Sequence, residues 1–573
     1  MSPRVATFLL AALTLLIYVG TAFHPALLDD ADAGHAEAAK EVLERGDWVT
    51  FHINGIRYLE KGPLLFWTGA LAYKLVGVNE FGTRLPAVFA VLGLVLICQA
   101  FGRSFGGERA GLYSGLILAT GIGTYLYTRI FIPDILLTFC LTAAFYFFWR
   151  GLSDSRYFWG WWAALAGAVL AKGLLGIVFP VGVVGLYILI RRRWDLIARM
   201  RPVSGTLLFL LIAAPWHILA AIRTPKWAWF YFVNEHFLRY LGLRYPKDYD
   251  KVPLLLFWGL CLAWLLPWSA FLPLALRRRE TENRESPRLL LWIWAILVMV
   301  FFSFSTRQEY YSMPAWPPLA LLLGEALASA EEKQHRWLVR LQAIPAVLGV
   351  IAAVVLVTLL WISRNVVVEG DIASLLVQNP QMYTLSLGHM FDLQPQTFAA
   401  LRGPAAGAAI LLGLGWPLAW WLRRKERHLA ATLATALTTG AFFFCAQSAL
   451  GAFEPYLSSR PLAAVIERAW KPGDRIVING EYYAGSSIGF YLKPKVYLLN
   501  GRMTGLEFGS HYPDAPQVFI GDHEIQQWWS GDARVYLFTE GGAKREAVER
   551  LLPPESVHLL GTRGGKFVLS NRP

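Results

Sequence analysis

The chain has only four cysteines in 573 residues. Cys98, Cys140, Cys261 and Cys445 all fall inside apolar runs, and none has a C-x-x-C partner. Neither a disulfide framework nor a zinc site is indicated, so the four read as small hydrophobes. Charge is scarce too, at 16% of residues against 55% hydrophobic, and a soluble chain of this length would need more of it at its surface. The net charge of +13 is not pooled in one patch or tail, which removes the usual basis for nucleic-acid binding. The C-terminal tail carries no GxGxxG fingerprint and no P-loop, so nucleotide binding has no support there.

What the chain has instead is a series of apolar stretches of about bilayer length. Thirteen spans are read, near 5–23, 84–101, 109–128, 131–149, 157–171, 174–190, 203–222, 254–276, 289–305, 313–329, 338–362, 402–422 and 429–449. The predicted class is a polytopic α-helical membrane protein over residues 1–450, followed by a soluble α/β domain over 451–573. The first span lacks a small-residue cleavage site and reads as a retained anchor. Every second loop is strongly basic: Arg191-Arg192-Arg193 with Arg199 and Arg201, Arg277-Arg278-Arg279 with Arg284 and Arg288, and Arg423-Arg424-Lys425 with Arg427. Counted alternately, these loops share one side with the N-terminus and Arg4, and that side is the cytoplasm. The outer side then receives residues 24–83, the turns at Arg129 and Lys172, the loops 223–253, 305–312 and 363–400, and the tail.

Within the first outer loop, residues 33–45 predict a helix on the membrane surface. His35, Ala38, Ala39, Val42 and Leu43 form its apolar stripe, with Glu37, Lys40, Glu41 and Glu44 opposite. Pro63 to Val76 is apolar but too short to cross comfortably. In the tail, residues 475–479, 495–499, 517–520 and 534–538 predict short strands, with helices at 459–470, 523–530 and 542–552.

The outer loops hold the unusual polar residues. Asp29, Asp30 and Asp32 follow the first span, where carboxylates beside hydrocarbon need a reason to be present. Asp30 and Asp32 can supply a general base, or a metal or sugar ligand, while Asp32 can equally be the N-cap bonding the free amide near His35. Lys61, in Glu60-Lys61-Gly62-Pro63, can bind a phosphate as a point charge or simply snorkel. Asp134 stands at the edge of a long apolar run, a functional position by default; its plainer roles are a cap after Pro133 or a partner for Arg129. Lys172-Gly173 is either a charged turn or a phosphate contact. In the loop 223–253, Glu235 and His236 can join Glu60 around a divalent cation, or belong to an aromatic interfacial belt. Arg239, Arg307 and Tyr310 add cations and a phenol that suit a phosphate or a headgroup.

Taken together these stretches resemble the aminoarabinose transferase and protein O-mannosyltransferase group of polyprenyl-phosphate-dependent membrane glycosyltransferases. The resemblance rests on His35-Ala36-Glu37-Ala38-Ala39-Lys40-Glu41, Gly46-Asp47-Trp48-Val49, Tyr58-Leu59-Glu60-Lys61-Gly62-Pro63, and Gly77-Val78-Asn79-Glu80 with Arg84-Leu85-Pro86. Asp134 to Phe139, Pro215-Trp216-His217 and Phe232 to Phe237 extend it over roughly residues 1–330. It implies a GT-C fold in a bacterial inner membrane and an undecaprenyl-phosphate-type donor. It also implies sugar transfer on the outer face to a lipid, glycan or protein, as in lipid A modification. Asp30, Asp32 and Asp134 become the catalytic acids, and Lys61 the donor-phosphate ligand with Arg239, Arg307 and Tyr310. Glu60 and His236 become the residues for a divalent metal ion. Two departures stand out. The family's Asp-Glu dyad falls on Ala31-Asp32, and Arg307-Gln308-Glu309-Tyr310-Tyr311 replaces a Lys-Leu-Pro-Tyr-type run.

The expected reaction is single displacement with inversion. Lys61 and an arginine stabilise the departing lipid phosphate, and Asp30 or Asp32 takes the acceptor proton. The competing class, a transporter or flippase, calls for two related halves with broken helices and polar residues at mid-bilayer; no such halves are visible in the sequence.

Overall fold

The computed structural model describes residues 2–246, 251–277, 287–333, 336–366 and 398–573. Most of the expected outer loop 363–400 and the basic stretch 278–286 lie outside the described residues. Helix is found in each of the thirteen apolar segments. Among the described residues, six helices are long and apolar enough to cross a membrane: Pro3–Gly20, Glu80–Ala119, Pro202–Arg223, Trp337–Ser363, Arg402–Arg424 and His428–Ala452. The chain is thus a polytopic helical membrane protein. Residues 254–276 are not the straight span expected, because Leu254–Trp264 and Trp268–Arg277 meet at 96°. Pro267 stands at the break, without the amide hydrogen that would carry the helix on. Glu80–Ala119 folds back at Gly107, whose φ of 80° suits glycine. Beyond the turn its two arms touch backbone to backbone: a Cβ on Gly102 would lie 3.0 Å from the Gly111 Cα.

Two polar clusters mark the ends of the bundle. The helix Trp316–Glu332, about 25 Å long at 1.5 Å per residue, runs from one to the other. Near its C-terminus Arg423 Nη1 meets Glu331 Oε1 at 2.6 Å and Arg288 Nη1 meets Glu325 Oε2 at 2.7 Å. Arginines of two basic loops are therefore tied to the bundle at that end. At the other end, residues of the loops 24–83, 129–134, 172–174, 231–246 and 305–311 line shared cavities.

The short helix Ala31–Arg45 departs from expectation. Its polar face is only partly in water: Glu44 is exposed, but Glu37 and Glu41 are buried along with Ala33, Ala36, Ala38 and Ala39. The cause is the tail. Lys40 Nζ donates to the Phe490 carbonyl at 3.0 Å, and a Cβ on Gly34 would lie 2.7 Å from the Tyr483 ring. Small residues allow a helix to be gripped on two sides in this way. Next comes a hairpin, β1 (His52–Ile53) and β2 (Ile56–Arg57). Its Asn54-Gly55 turn has both φ positive, at 53° and 78°, as a two-residue hairpin turn requires. The Asn54 side chain accepts from the Val496 amide at 3.0 Å and donates to its carbonyl at 2.8 Å, docking the hairpin on the tail.

The tail forms a six-stranded sheet in the order β5–β4–β3–β6–β8–β7. Strands β3 (Arg475–Asn479), β4 (Tyr497–Leu499), β5 (Phe519–Ile520) and β6 (Val535–Glu540) are parallel; β7 (His558–Arg563) and β8 (Lys566–Ser570) run antiparallel at one edge. The last two were not expected. β7 is an edge strand of mixed exposure, so the alternation that would reveal it is weak.

Candidate active site

Where the tail meets the outer-loop end of the bundle, two cavities lie side by side. One, of about 400 Å³, is walled mostly by apolar side chains, among them Leu174, Leu175, Val178, Phe237, Leu241 and Phe301. The other, of about 280 Å³, is lined by Asp30, His35, Tyr58, Asp134, Gln308 and Tyr310, and from the tail by Glu481, Tyr483 and Thr504. Glu60, Lys61, Lys172, Arg239 and Tyr311 line both. The junction is thus charged, with oil on one side and carboxylates on the other.

Its geometry is set by ion pairs. Glu60 Oε2 lies 3.3 Å from Lys61 Nζ, and Glu60 Oε1 lies 2.5 Å from Arg244 Nη2. Arg244 also donates through Nε to Glu235, whose other oxygen takes Arg239 Nη1 at 2.9 Å. Three cations therefore face two carboxylates, leaving one net positive charge at the junction. Burial pushes Glu60 up, but Arg244, then Lys61 and Arg239, more than offset it and hold the carboxyl below its ordinary range. Glu235 is pushed up instead, by burial and by the neighbouring Glu60 charge. Arg244 is the residue that sequence reasoning missed. No local pattern singles it out in Gly242-Leu243-Arg244-Tyr245-Pro246, and its role follows from folding back onto Glu60, distant in sequence. Gly62, between Lys61 and Pro63, packs against the bundle: a Cβ there would lie 2.4 Å from the Leu170 carbonyl oxygen. That close approach seats Lys61 between the cavities.

The three candidate acids separate. Asp30 faces the polar cavity. It enters the helix with φ 75° and ψ −141°, a conformation that residues with a Cβ rarely adopt. Asp32 lines neither cavity. Its Oδ2 accepts from the Leu28 amide at 2.9 Å and its Oδ1 from the Phe131 amide at 2.8 Å, so it braces the loop and does not cap the amide near His35. Burial raises its pKa despite Arg84 and Arg129 nearby. Asp134 lines the polar cavity and pairs with Lys172 Nζ at 2.5 Å, whereas Arg129 turns away to Thr21. Lys172 also lies 4.6 Å from the centre of the Tyr311 ring and 5.8 Å from that of Tyr310. His35 Nδ1 donates to the Phe131 carbonyl at 2.9 Å, and burial, with Lys61 nearby, lowers its pKa to about 4. It is therefore neutral at physiological pH, with Nε2 placed 3.1 Å from the Tyr58 hydroxyl.

Arg307 is not brought to the site. Its Nε donates to the Val252 carbonyl at 2.9 Å and its Nη1 to the Ser303 carbonyl at 2.8 Å, and it lines neither cavity. The donor set for a metal does not fit either. His236 Nδ1 donates to the Tyr231 carbonyl at 2.6 Å, and its Nε2 lone pair accepts from the Leu174 amide at 3.1 Å. Both Glu60 oxygens are in ion pairs. Among the described residues no three His, Cys, Asp or Glu side chains converge as a metal would need.

Residues 60–232 match the dolichyl-phosphate-mannose-protein mannosyltransferase family. An undecaprenyl phosphate-alpha-4-amino-4-deoxy-L-arabinose arabinosyl transferase from Pseudomonas aeruginosa is 31% identical across 100% of this chain and 98% of the relative. A second such transferase, from Pseudomonas fluorescens, is 25% identical, covering 96% of each. The crystal structure of ArnT from Cupriavidus metallidurans bound to undecaprenyl phosphate superposes with a TM-score of 0.82 at 23% identity, over 98% of this chain and 97% of that one. The fold is shared end to end, tail included.

Proposed function

The chain belongs to the undecaprenyl phosphate-alpha-4-amino-4-deoxy-L-arabinose arabinosyl transferase family, and we propose on that footing that its two joined cavities hold the two ends of a lipid-linked sugar. It is a polyprenyl-phosphate-dependent glycosyltransferase. The observation that carries the assignment of parts is the change of wall across one cluster of cations. The apolar cavity suits the first prenyl units, Lys61 and Arg239 suit the phosphate, and the polar cavity suits the sugar. Asp30 and Glu481 beside that cavity, together with the arabinosyl transferase relatives, favour a sugar bearing a positive amine, so 4-amino-4-deoxy-L-arabinose is the proposed sugar.

The chemistry follows from where charge develops. The bond between the anomeric carbon and the phosphate oxygen breaks, and its electron pair leaves with the lipid phosphate. The net positive junction stabilises that charge. The acceptor oxygen attacks the opposite face and inverts the centre, while its proton passes to Asp30, which lines the cavity, as Asp134 does, but is not the acid paired with Lys172. Asp134, held by Lys172, orients the acceptor or the sugar. The proposed acceptor is a membrane lipid bearing a free hydroxyl or phosphate, reached on the outer face of a bacterial inner membrane. No step is routed through a metal. A transporter is less well served, since among the described residues the charged clusters stand at the two ends of the bundle and not at its middle.

The test is transfer by purified enzyme in vesicles, read by mass spectrometry of the acceptor lipid. Asp30→Asn and Asp134→Asn should each lower kcat by roughly 10²–10⁴-fold, the range expected for a lost general base or its partner. Full transfer by both variants would overturn the assignment.

A further inference from the structure

We propose that Asp29 is a positioning residue, clamped by Lys566 of the tail sheet, which fixes the direction in which Asp30 presents its carboxylate; the proposal rests on Asp30 being the base. Neighbouring residues here divide their work. Asp30 opens to the polar cavity, while the Asp29 side chain turns into the tail. Its Oδ2 takes Lys566 Nζ at 2.5 Å and the Ser459 hydroxyl at 2.6 Å; its Oδ1 takes the Ser487 amide at 3.0 Å and the Ser487 hydroxyl at 2.7 Å. The carboxylate thus has four donors, all from the tail, around two oxygens. Both members of the ion pair are largely buried, with side chains 12% and 9% exposed.

The backbone on either side is held by the same domain. The Leu27 amide donates to the Tyr491 hydroxyl at 2.9 Å, the Asp29 amide to the Leu457 carbonyl at 2.8 Å, and the Asp30 amide to the Tyr483 carbonyl at 3.0 Å. The Ser458 hydroxyl donates to the Leu27 carbonyl at 2.6 Å and the Ser486 hydroxyl to the Asp30 carbonyl at 3.0 Å. Asp30 itself sits at φ 75° and ψ −141°. Such a conformation persists only where its surroundings over-determine it. Here those surroundings come mainly from the tail, and Asp29 is the side chain on which they converge. The tail therefore does more than roof the cavity: it aims the base.

The experiment compares Asp29→Asn, Lys566→Arg, the neutral pair Asp29→Asn/Lys566→Met, and Asp30→Asn in full-length enzyme reconstituted in vesicles. Donor KM, kcat and thermal unfolding are measured for each. The neutral pair buries no unpaired charge, so it carries the test even where the single change fails to fold. Both Asp29 variants should lose kcat about 100-fold, the scale of an ångström's misplacement. Donor KM should stay put, because Lys61 and Arg239 are untouched. The neutral pair should recover melting temperature without recovering kcat, and Lys566→Arg should keep both. If kcat returns with stability in the neutral pair, the role is structural only and the proposal is overturned. Wild-type kcat in the Asp29 variants beside an inactive Asp30→Asn would sink the positioning role and leave the base standing. Full activity in Asp30→Asn would remove both.

Discussion

Replacing Arg244 by methionine takes away the cation on which two buried carboxylates converge. The side chains involved are 5% exposed for Arg244, 9% for Glu60 and 3% for Glu235, so water cannot replace what is lost. Removing one partner of a buried ion pair costs roughly 3–5 kcal/mol, mostly the penalty of a charge left alone. Two cations then face two carboxylates, and the junction loses the net positive charge that a phosphate would meet. Arg244→Met should therefore unfold at a clearly lower temperature and bind donor more weakly. The double variant Arg244→Met/Glu235→Gln restores one net positive charge and should recover most of both. The defect should also depend on pH. Glu60 is held below its ordinary value of 4.5 by Arg244, Lys61 and Arg239, against burial. Its stabilising contribution is complete above 4.5 and is lost as the pH falls through the lowered folded value. Without Arg244, burial is opposed by Lys61 and Arg239 alone, and Glu60 takes up a proton more readily. The variant's deficit should be largest near neutrality and shrink on acidification. Thermal unfolding in detergent across pH, with donor KM in vesicles, measures each part. A melting curve at neutral pH matching that of the unaltered protein, or a double variant worse than the single, would refute the reasoning.

Other consequences can be checked alongside. Lys61→Met removes one charge-assisted contact to phosphate, about 1.5–3 kcal/mol, so kcat/KM for the donor should fall about 10- to 150-fold, read with labelled donor at limiting concentration. Arg307→Ala should leave donor KM unchanged, because the guanidinium is bonded to the Val252 and Ser303 carbonyls; a large rise in KM would put it back at the phosphate. Burial raises Glu37 to about 8 from 4.5, Lys40 opposing, so the folded chain keeps a proton that the unfolded chain releases. This contribution to stability falls as pH rises between those values. Glu37→Gln should therefore gain in melting temperature over the native chain as pH is raised from 6 toward 8, and an unchanging difference would contradict the burial. Prolonged chelation of divalent metals should leave turnover intact, since the His236 nitrogens and Glu60 oxygens are already engaged.

Much of the site is legible residue by residue. Lys61, Asp134 and Asp30 are conspicuous because a charge beside a long apolar run has few reasons to be there, and the structure places all three on one cavity. Other candidates stand away from that cavity for identifiable reasons. Asp32 and Arg307 carry the same local signal, yet backbone groups brought close only by folding claim their side chains. Arg244 and Lys172 matter through partners far away in sequence, Glu60 and Asp134. The Asn54-Gly55 hairpin turn has a local signal, but the strands it joins have two residues each, too few for alternation to mark them.

The sequence by itself determines that this chain lives in a bilayer, since apolar runs of that length have no other stable home. The charge bias of its basic loops also leads one to expect the chemical residues on the alternate loops. Only the tertiary structure decides which of those residues meet. Asp30 and Asp32 differ by two positions and have the same chemistry, but one opens to the cavity and the other is closed over by the Leu28 and Phe131 amides. In the proposed reading the direction of Asp30 depends on the tail, which clamps Asp29 through Lys566 more than five hundred residues later. Periodicity and charge are local and can be read along the chain; the direction of a side chain depends on what packs against it.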